Sequence, residues 1–167
     1  MSDIAKDASV NFVIGDFAMV DPLSGKGSIV GAGVAVLGFD PAQGLTSRFA
    51  VWISVALPGG LLPAEFPIEI ALTSNGELVN LPAQTGTPPQ PLRIAQIVQL
   101  DKSQIPAPAV VRDHVGSRNQ IVLDFSNGLP LSPNGTYEWQ VRVDGDDSRV
   151  WSYPFAVSGP MPGPVIG

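Results

Sequence analysis

Three carboxylates in four residues, Asp144-Gly145-Asp146-Asp147, are the densest group of metal-capable oxygens in the sequence. Oxygen ligands so closely spaced suit a hard cation such as Ca²⁺. The flanking residues do not continue into the twelve-residue EF-hand loop, and no bidentate Glu follows at the required place. Asp and Gly are also what a tight hairpin turn requires of its backbone, and the turn is the preferred reading. The residue pattern alone leaves open whether Asp144, Asp146 and Asp147 also hold a cation.

The other candidates are weaker. His114, the sole histidine, sits in Arg112-Asp113-His114, where Asp113 could pair with it but no nucleophile stands nearby to be activated. It reads as a surface loop residue. No Gly-x-Ser-x-Gly elbow is present. Gly31-Ala32-Gly33 begins like a dinucleotide fingerprint but lacks the third small residue and a following helix. Asn134-Gly135-Thr136 has the form of a glycosylation sequon and reads as a turn. Trp139, Trp151 and Tyr153 could line a ligand surface, although their strand-like alternation favours core packing. The expectation is a non-enzymatic chain with no catalytic, cofactor-binding or metal-binding residues.

The totals narrow the class further. A length of 167 residues fits one domain and can bury a core without disulfide or metal support. Cysteine is absent, which excludes disulfides, thiolate metal sites and Cys nucleophiles. The net charge is −6, and the nine Lys and Arg are scattered singly. Binding to phosphate-rich partners requires converging cations, so neither nucleic acid nor an anionic membrane surface is expected as a partner. The opening residues lack a secretory signal pattern, and no apolar stretch is long enough to span a bilayer, so a soluble chain not exported by a cleaved signal is expected. Charged residues make up 14% of the chain, against about 25% in typical soluble domains. Such a shortage fits a surface partly covered by neighbours, and equally a small domain rich in Ala, Gly and Pro.

Seventeen Pro and eighteen Gly leave no room for a helix of ten residues, and the runs between them are β-like. Strands are expected over Val10 to Val20, Ser28 to Phe39, Arg48 to Leu57, Phe66 to Thr73, Glu77 to Leu81, Leu92 to Leu100 and Gln120 to Ser126. Arg48 to Leu57 is apolar on both faces and should be central. Residues 101–119 hold either a short strand, Val110 to Asp113, or one helical turn. Tyr137 to Val143 and Val150 to Val157 alternate around the Asp-Gly turn and form a hairpin. Strands of this number and spacing predict an all-β fold, an antiparallel immunoglobulin-like β-sandwich of about eight strands with extended termini. The division is an arm over residues 1–8, the sandwich over 9–157 and a Pro/Gly-rich tail over 158–167.

Three stretches carry a resemblance: Ala18-Met19-Val20-Asp21 with Gly25-Lys26-Gly27-Ser28-Ile29-Val30-Gly31, then Pro67-Ile68-Glu69-Ile70-Ala71-Leu72, and Gly135-Thr136-Tyr137 through Phe155-Ala156-Val157. Together they resemble an uncharacterised β-sandwich family of actinobacteria and their phages. The Gly-x-Tyr entry to the penultimate strand also resembles the tyrosine-corner region of immunoglobulin-like sandwiches. The resemblance implies a fold and carries over no functional residue.

Two functions compete on this basis. The first is a phage virion subunit, a capsid decoration, minor capsid or tail-associated protein assembled in the host cytoplasm. Its partners would be a major capsid or tail protein and further copies of itself. The tail residues Pro160, Met161, Pro162, Pro164, Val165 and Ile166 are its expected contacts, because a Pro-rich segment cannot pack alone yet these side chains can dock. The alternative is a bacterial cytosolic binding module for a protein partner or a small ligand, needing a pocket or an apolar patch.

Overall fold

The computed structural model describes residues 2–82, 88–102, 104 and 106–160. The chain opens with a short helix, α1 (Asp3–Asp7), followed by β1 (Ser9–Gly15), β2 (Phe17–Val20), β3 (Gly27–Val30), β4 (Val36–Leu37), β5 (Phe39–Asp40) and β6 (Leu45–Thr46). The middle holds β7 (Phe49–Leu57), β8 (Ala64–Ser74), β9 (Glu77–Leu78), β10 (Asn80–Leu81), β11 (Gln90–Pro91) and β12 (Arg93–Leu100). After α2 (Ala109–Val115) come β13 (Ser117–Phe125), β14 (Thr136–Val143) and β15 (Trp151–Val157). The fold is all-β, built from several antiparallel sheets.

Two sheets dominate. One runs β1-β7-β13, with the doubly apolar β7 at its centre as its sequence required. The other runs β12-β8-β14-β15-β4, with β9 paired to β8; its pairings are antiparallel except β15 with β4. Alternation sends Phe49, Val51, Ile53 and Val55 of the first sheet into the same buried cluster as Ile68, Ile70, Trp139 and Val141 of the second. Aromatic rings bridge the sheets: Phe125 stacks on Phe49 at 4.8 Å and on Trp139 at 5.5 Å. Burying an aliphatic or aromatic side chain of this size contributes about 1.5–3 kcal/mol, so this shared layer is the main source of cohesion.

Several expectations are corrected in detail. The single strand expected over Val10 to Val20 breaks at Asp16, whose N–H donates to Val30 O at 2.9 Å. From there β2 leaves the sheet to pair with β3 as a separate ribbon. The strand expected over Ser28 to Phe39 breaks at Gly31 and Gly33, both at positive φ. Residues 3–7, expected within an extended arm, are helical: Ser2 Oγ accepts from Ala5 N at 2.9 Å as an N-cap, and Ala5 and Ala8 are buried. Of the two alternatives for residues 110–113, the helical turn is the one found.

Candidate interaction surface

The β2–β3 ribbon folds over the outer face of the β1-β7-β13 sheet. Register pairs Ala18 with Ile29 and Val20 with Gly27, and this face turns inward. Beneath it, Trp52 Nε1 donates to Gln120 Oε1 at 2.9 Å, and Gln120 Nε2 donates to Gly25 O at 2.8 Å. A Cβ on Gly27 would lie 2.4 Å from Trp52 Nε1 and 2.0 Å from Gln120 Oε1, so only glycine permits this approach. The ribbon is thus held to the sheet by a two-step hydrogen-bond chain that starts at a half-buried indole.

Its other face is apolar and turned to solvent. Phe17 stands opposite Val30, and Met19 opposite Ser28. Phe17 is 40% exposed, Met19 46% and Val30 60%. Leu23, in the connecting turn, is 96% exposed. That turn is fixed from within: Asp21 accepts from the Ser24 hydroxyl and from Leu23 N at 3.2 Å. Those bonds, the Ser24 hydroxyl first, lower the Asp21 pKa below the usual carboxylate value. A pre-formed turn therefore presents the Leu23 side chain outward. Sequence reasoning quoted Met19 and Val30 only within the motifs of a resemblance and did not name Phe17 or Leu23. The signal was present in the turn chemistry of Asp21-Pro22 and Gly25, but reading Val10 to Val20 as one strand hid the change of face.

The outer face of the larger sheet is its opposite in character. Glu69 pairs with Arg93 and, at 3.1 Å, with Arg142. Arg142 Nε lies 3.0 Å from Asp147 Oδ1, a charge contact without hydrogen-bond alignment. These residues, with Thr73 and Gln140, line a shallow open depression of about 340 Å³. Two cations and two carboxylates neutralise one another there, and exposed pairs of this kind contribute only about 0–1 kcal/mol each.

The residues singled out by sequence do not converge. Asp144 and Gly145 have φ of 55° and 65°, and Asp146 N donates to Val143 O at 3.1 Å, the geometry of a two-residue primed turn. Asp146 accepts from Ser148 Oγ at 2.5 Å, Ser148 N at 2.8 Å and Ser2 N at 2.5 Å. The Ser148 hydroxyl bond is the largest reason its pKa falls to about 2. Asp147 turns instead to Arg142, so Asp146 and Asp147 face different groups, and among the described residues no three such side chains are grouped to hold a metal ion. His114 is on the exposed helix α2. Asn134 takes a positive-φ turn, and its Nδ2 donates to Pro160 O at 3.3 Å. Trp139 is fully buried, and Trp151 and Tyr153 pack partly buried against the core. Of the tail contacts expected, Pro160 is described, and Met161, Pro162, Pro164, Val165 and Ile166 lie outside the described residues. Among the described residues, no helix is long and apolar enough to cross a membrane. No protein-family model matches the chain, and no curated protein matches it significantly.

Proposed function

We propose that this chain is a non-enzymatic structural subunit of a phage virion, a capsid decoration or a minor capsid or tail-associated protein. The observation that carries the reading is the ribbon: a rigidly clamped β2–β3 hairpin with Phe17, Met19, Val30 and Leu23 turned to solvent. Its occupant is a neighbouring structural protein with a complementary apolar surface, since contiguous exposed apolar area marks protein contact sites. The low charge content supports the same reading, because a surface destined for burial has less use for charge. Tail residues Pro160, Met161, Pro162, Pro164, Val165 and Ile166 are proposed as a second contact, and of these Pro160 accepts from Asn134 Nδ2 through its carbonyl.

The fold we assign to it is an immunoglobulin-like sandwich within residues 9–157, related to the actinobacterial and phage β-sandwich family whose motifs it resembles. Support comes from the core shared by the two main sheets and from Tyr137. Its hydroxyl accepts from Ser132 N at 2.8 Å, five residues upstream, as a tyrosine corner ties its strand to the preceding loop.

A cytosolic binding module for a small ligand is the second reading, favoured by the polar depression around Glu69. Its charges already satisfy one another, which leaves no surplus charge to hold a ligand and places this reading behind the first.

The test is a double substitution, Met19→Glu with Val30→Lys, carried in particles that contain the protein. The variant is expected to keep its circular dichroism spectrum and to be lost from the particle. Retention at the wild-type level contradicts the assignment.

A further inference from the structure

The outer edge of β12 is an open strand whose sequence is complementary to itself. β12 pairs with β8 on one side only among the described residues. Which of its backbone groups are unpaired follows from β8. Pro67 O accepts from Asp144 N, so odd-numbered residues of β8 face β14. Leu72 N donates to Leu92 O and Leu72 O accepts from Val79 N, so even-numbered residues face the other way. N–H and C=O of one residue point to the same side and alternate along an antiparallel strand. Register sets Ile94 opposite Ile70 and Gln96 opposite Ile68, so the even-numbered residues of β12 bond to β8. The N–H and C=O groups of Arg93, Ala95, Ile97 and Gln99 therefore point away from the sheet.

Edge strands usually avoid open pairing with Pro, Lys or a bulge. Between Arg93 and Leu100 there is neither Pro nor Lys, and the register with β8 runs unbroken over all eight positions. The middle of the strand instead presents Ile97, 59% exposed.

The geometry points to a second copy of this chain as the occupant, joined β12 to β12 in antiparallel fashion about a two-fold axis through Ile97. Keeping the faces of the joined sheet matched sets odd-numbered residues opposite odd-numbered ones, and of these registers the one centred on Ile97 sets Ile97 opposite Ile97 of the second copy. Ala95 then stands opposite Gln99 of the second copy, and Arg93 opposite its Asp101. The first pair buries the exposed apolar side chain at the axis. The last brings the Asp101 carboxylate at both ends to the half-exposed Arg93 guanidinium, which pairs with Glu69 through one nitrogen and keeps further donors to share. The three central pairs use the outward backbone groups to form about six hydrogen bonds, which joins the two sheets into one. An axis moved to Gln96 also brings outward backbone groups together, but it sets Ile97 opposite Ala95 and Arg93 opposite Gln99, so the apolar pair at the centre and the charge pairs at the ends select the axis through Ile97.

This inference is separate from the virion reading. Purified chain examined by sedimentation equilibrium is expected to show a species of twice 17.5 kDa. Ile97→Lys, at an exposed position, should keep the native spectrum and raise the dimer dissociation constant by more than about tenfold. Register is read with cysteine in the Cys-free chain. Directly opposed residues in a hydrogen-bonded antiparallel pair have Cα atoms about 5.5 Å apart, within disulfide reach. Ile97→Cys should crosslink to a covalent dimer under mild oxidation. Gln99→Cys should not, because its copies would stand about 13 Å apart. A monomer at all concentrations, or crosslinking of Gln99→Cys as fast as Ile97→Cys, overturns the pairing. A monomeric protein that still travels with particles overturns the pairing while leaving the virion reading intact, and a dimer absent from particles does the reverse.

Discussion

Trp52 and Gln120, on adjacent strands of the smaller sheet, share a 2.9 Å hydrogen bond that orients the Gln120 amide so that its other end reaches Gly25 O at 2.8 Å. The bond turns a sheet surface into an anchor for the β2–β3 ribbon. The apolar residues on the far side of that ribbon are held in place by it.

Removing the anchor should free the ribbon without unfolding the domain. In Gln120→Ala the Gly25 carbonyl and the Trp52 indole both lose their partner. Tryptic cleavage after Lys26, in the ribbon turn, is expected to quicken by on the order of tenfold, while the global urea midpoint changes little. Cleavage at the wild-type rate would show that the anchor does not hold the ribbon.

Tyr137 offers a test of the corner that ties β14 to its preceding loop. Tyr137→Phe keeps the ring, which stacks on Phe155 at 5.7 Å, and removes only the acceptor for Ser132 N. Leaving that partly buried amide unpaired should cost about 1–2 kcal/mol, read as a lower urea midpoint at an unchanged m-value. An unchanged midpoint would mean that solvent replaces the bond.

The strands and turns were legible where local chemistry and tertiary demand agree. The hairpin around Asp144-Gly145 and the turn at Asn75-Gly76 follow from residues that accept positive φ. The central position of β7 follows from its having no polar face. What escaped was partnership. Nothing near Asp16 says that the chain will leave one sheet, because the cause is Val30 O, fourteen residues away. The helix α1 was hidden for a similar reason: five residues cannot hold a helix alone, and contacts with the β14–β15 turn hold this one. Arg149 Nη1 donates to Lys6 O at 2.9 Å and Ser2 N to Asp146, from residues more than 140 positions distant. The apolar ribbon face was invisible until β2 was seen to be a separate strand.

Acid should act on that same contact. The Asp146 pKa is lowered from 3.8 to about 2 in the folded chain, chiefly by the Ser148 hydroxyl. A carboxylate with a depressed folded pKa contributes stability that is complete above 3.8, declines as pH falls between 3.8 and 2, and is gone below about 2. Wild type is therefore expected to have a higher urea midpoint than Asp146→Ala at pH 6, with the two curves converging as pH approaches 2. A difference that persists unchanged at pH 2 would contradict the assignment.

As a proposed virion subunit, this domain would work inside a large assembly. Material from the native source, sedimented through a density gradient with each fraction analysed by mass spectrometry, tests it most directly. Assembly predicts recovery of the chain with large particles, at a fixed ratio to their major protein across the peak. Recovery only in the slow fractions, away from any particle, would contradict it.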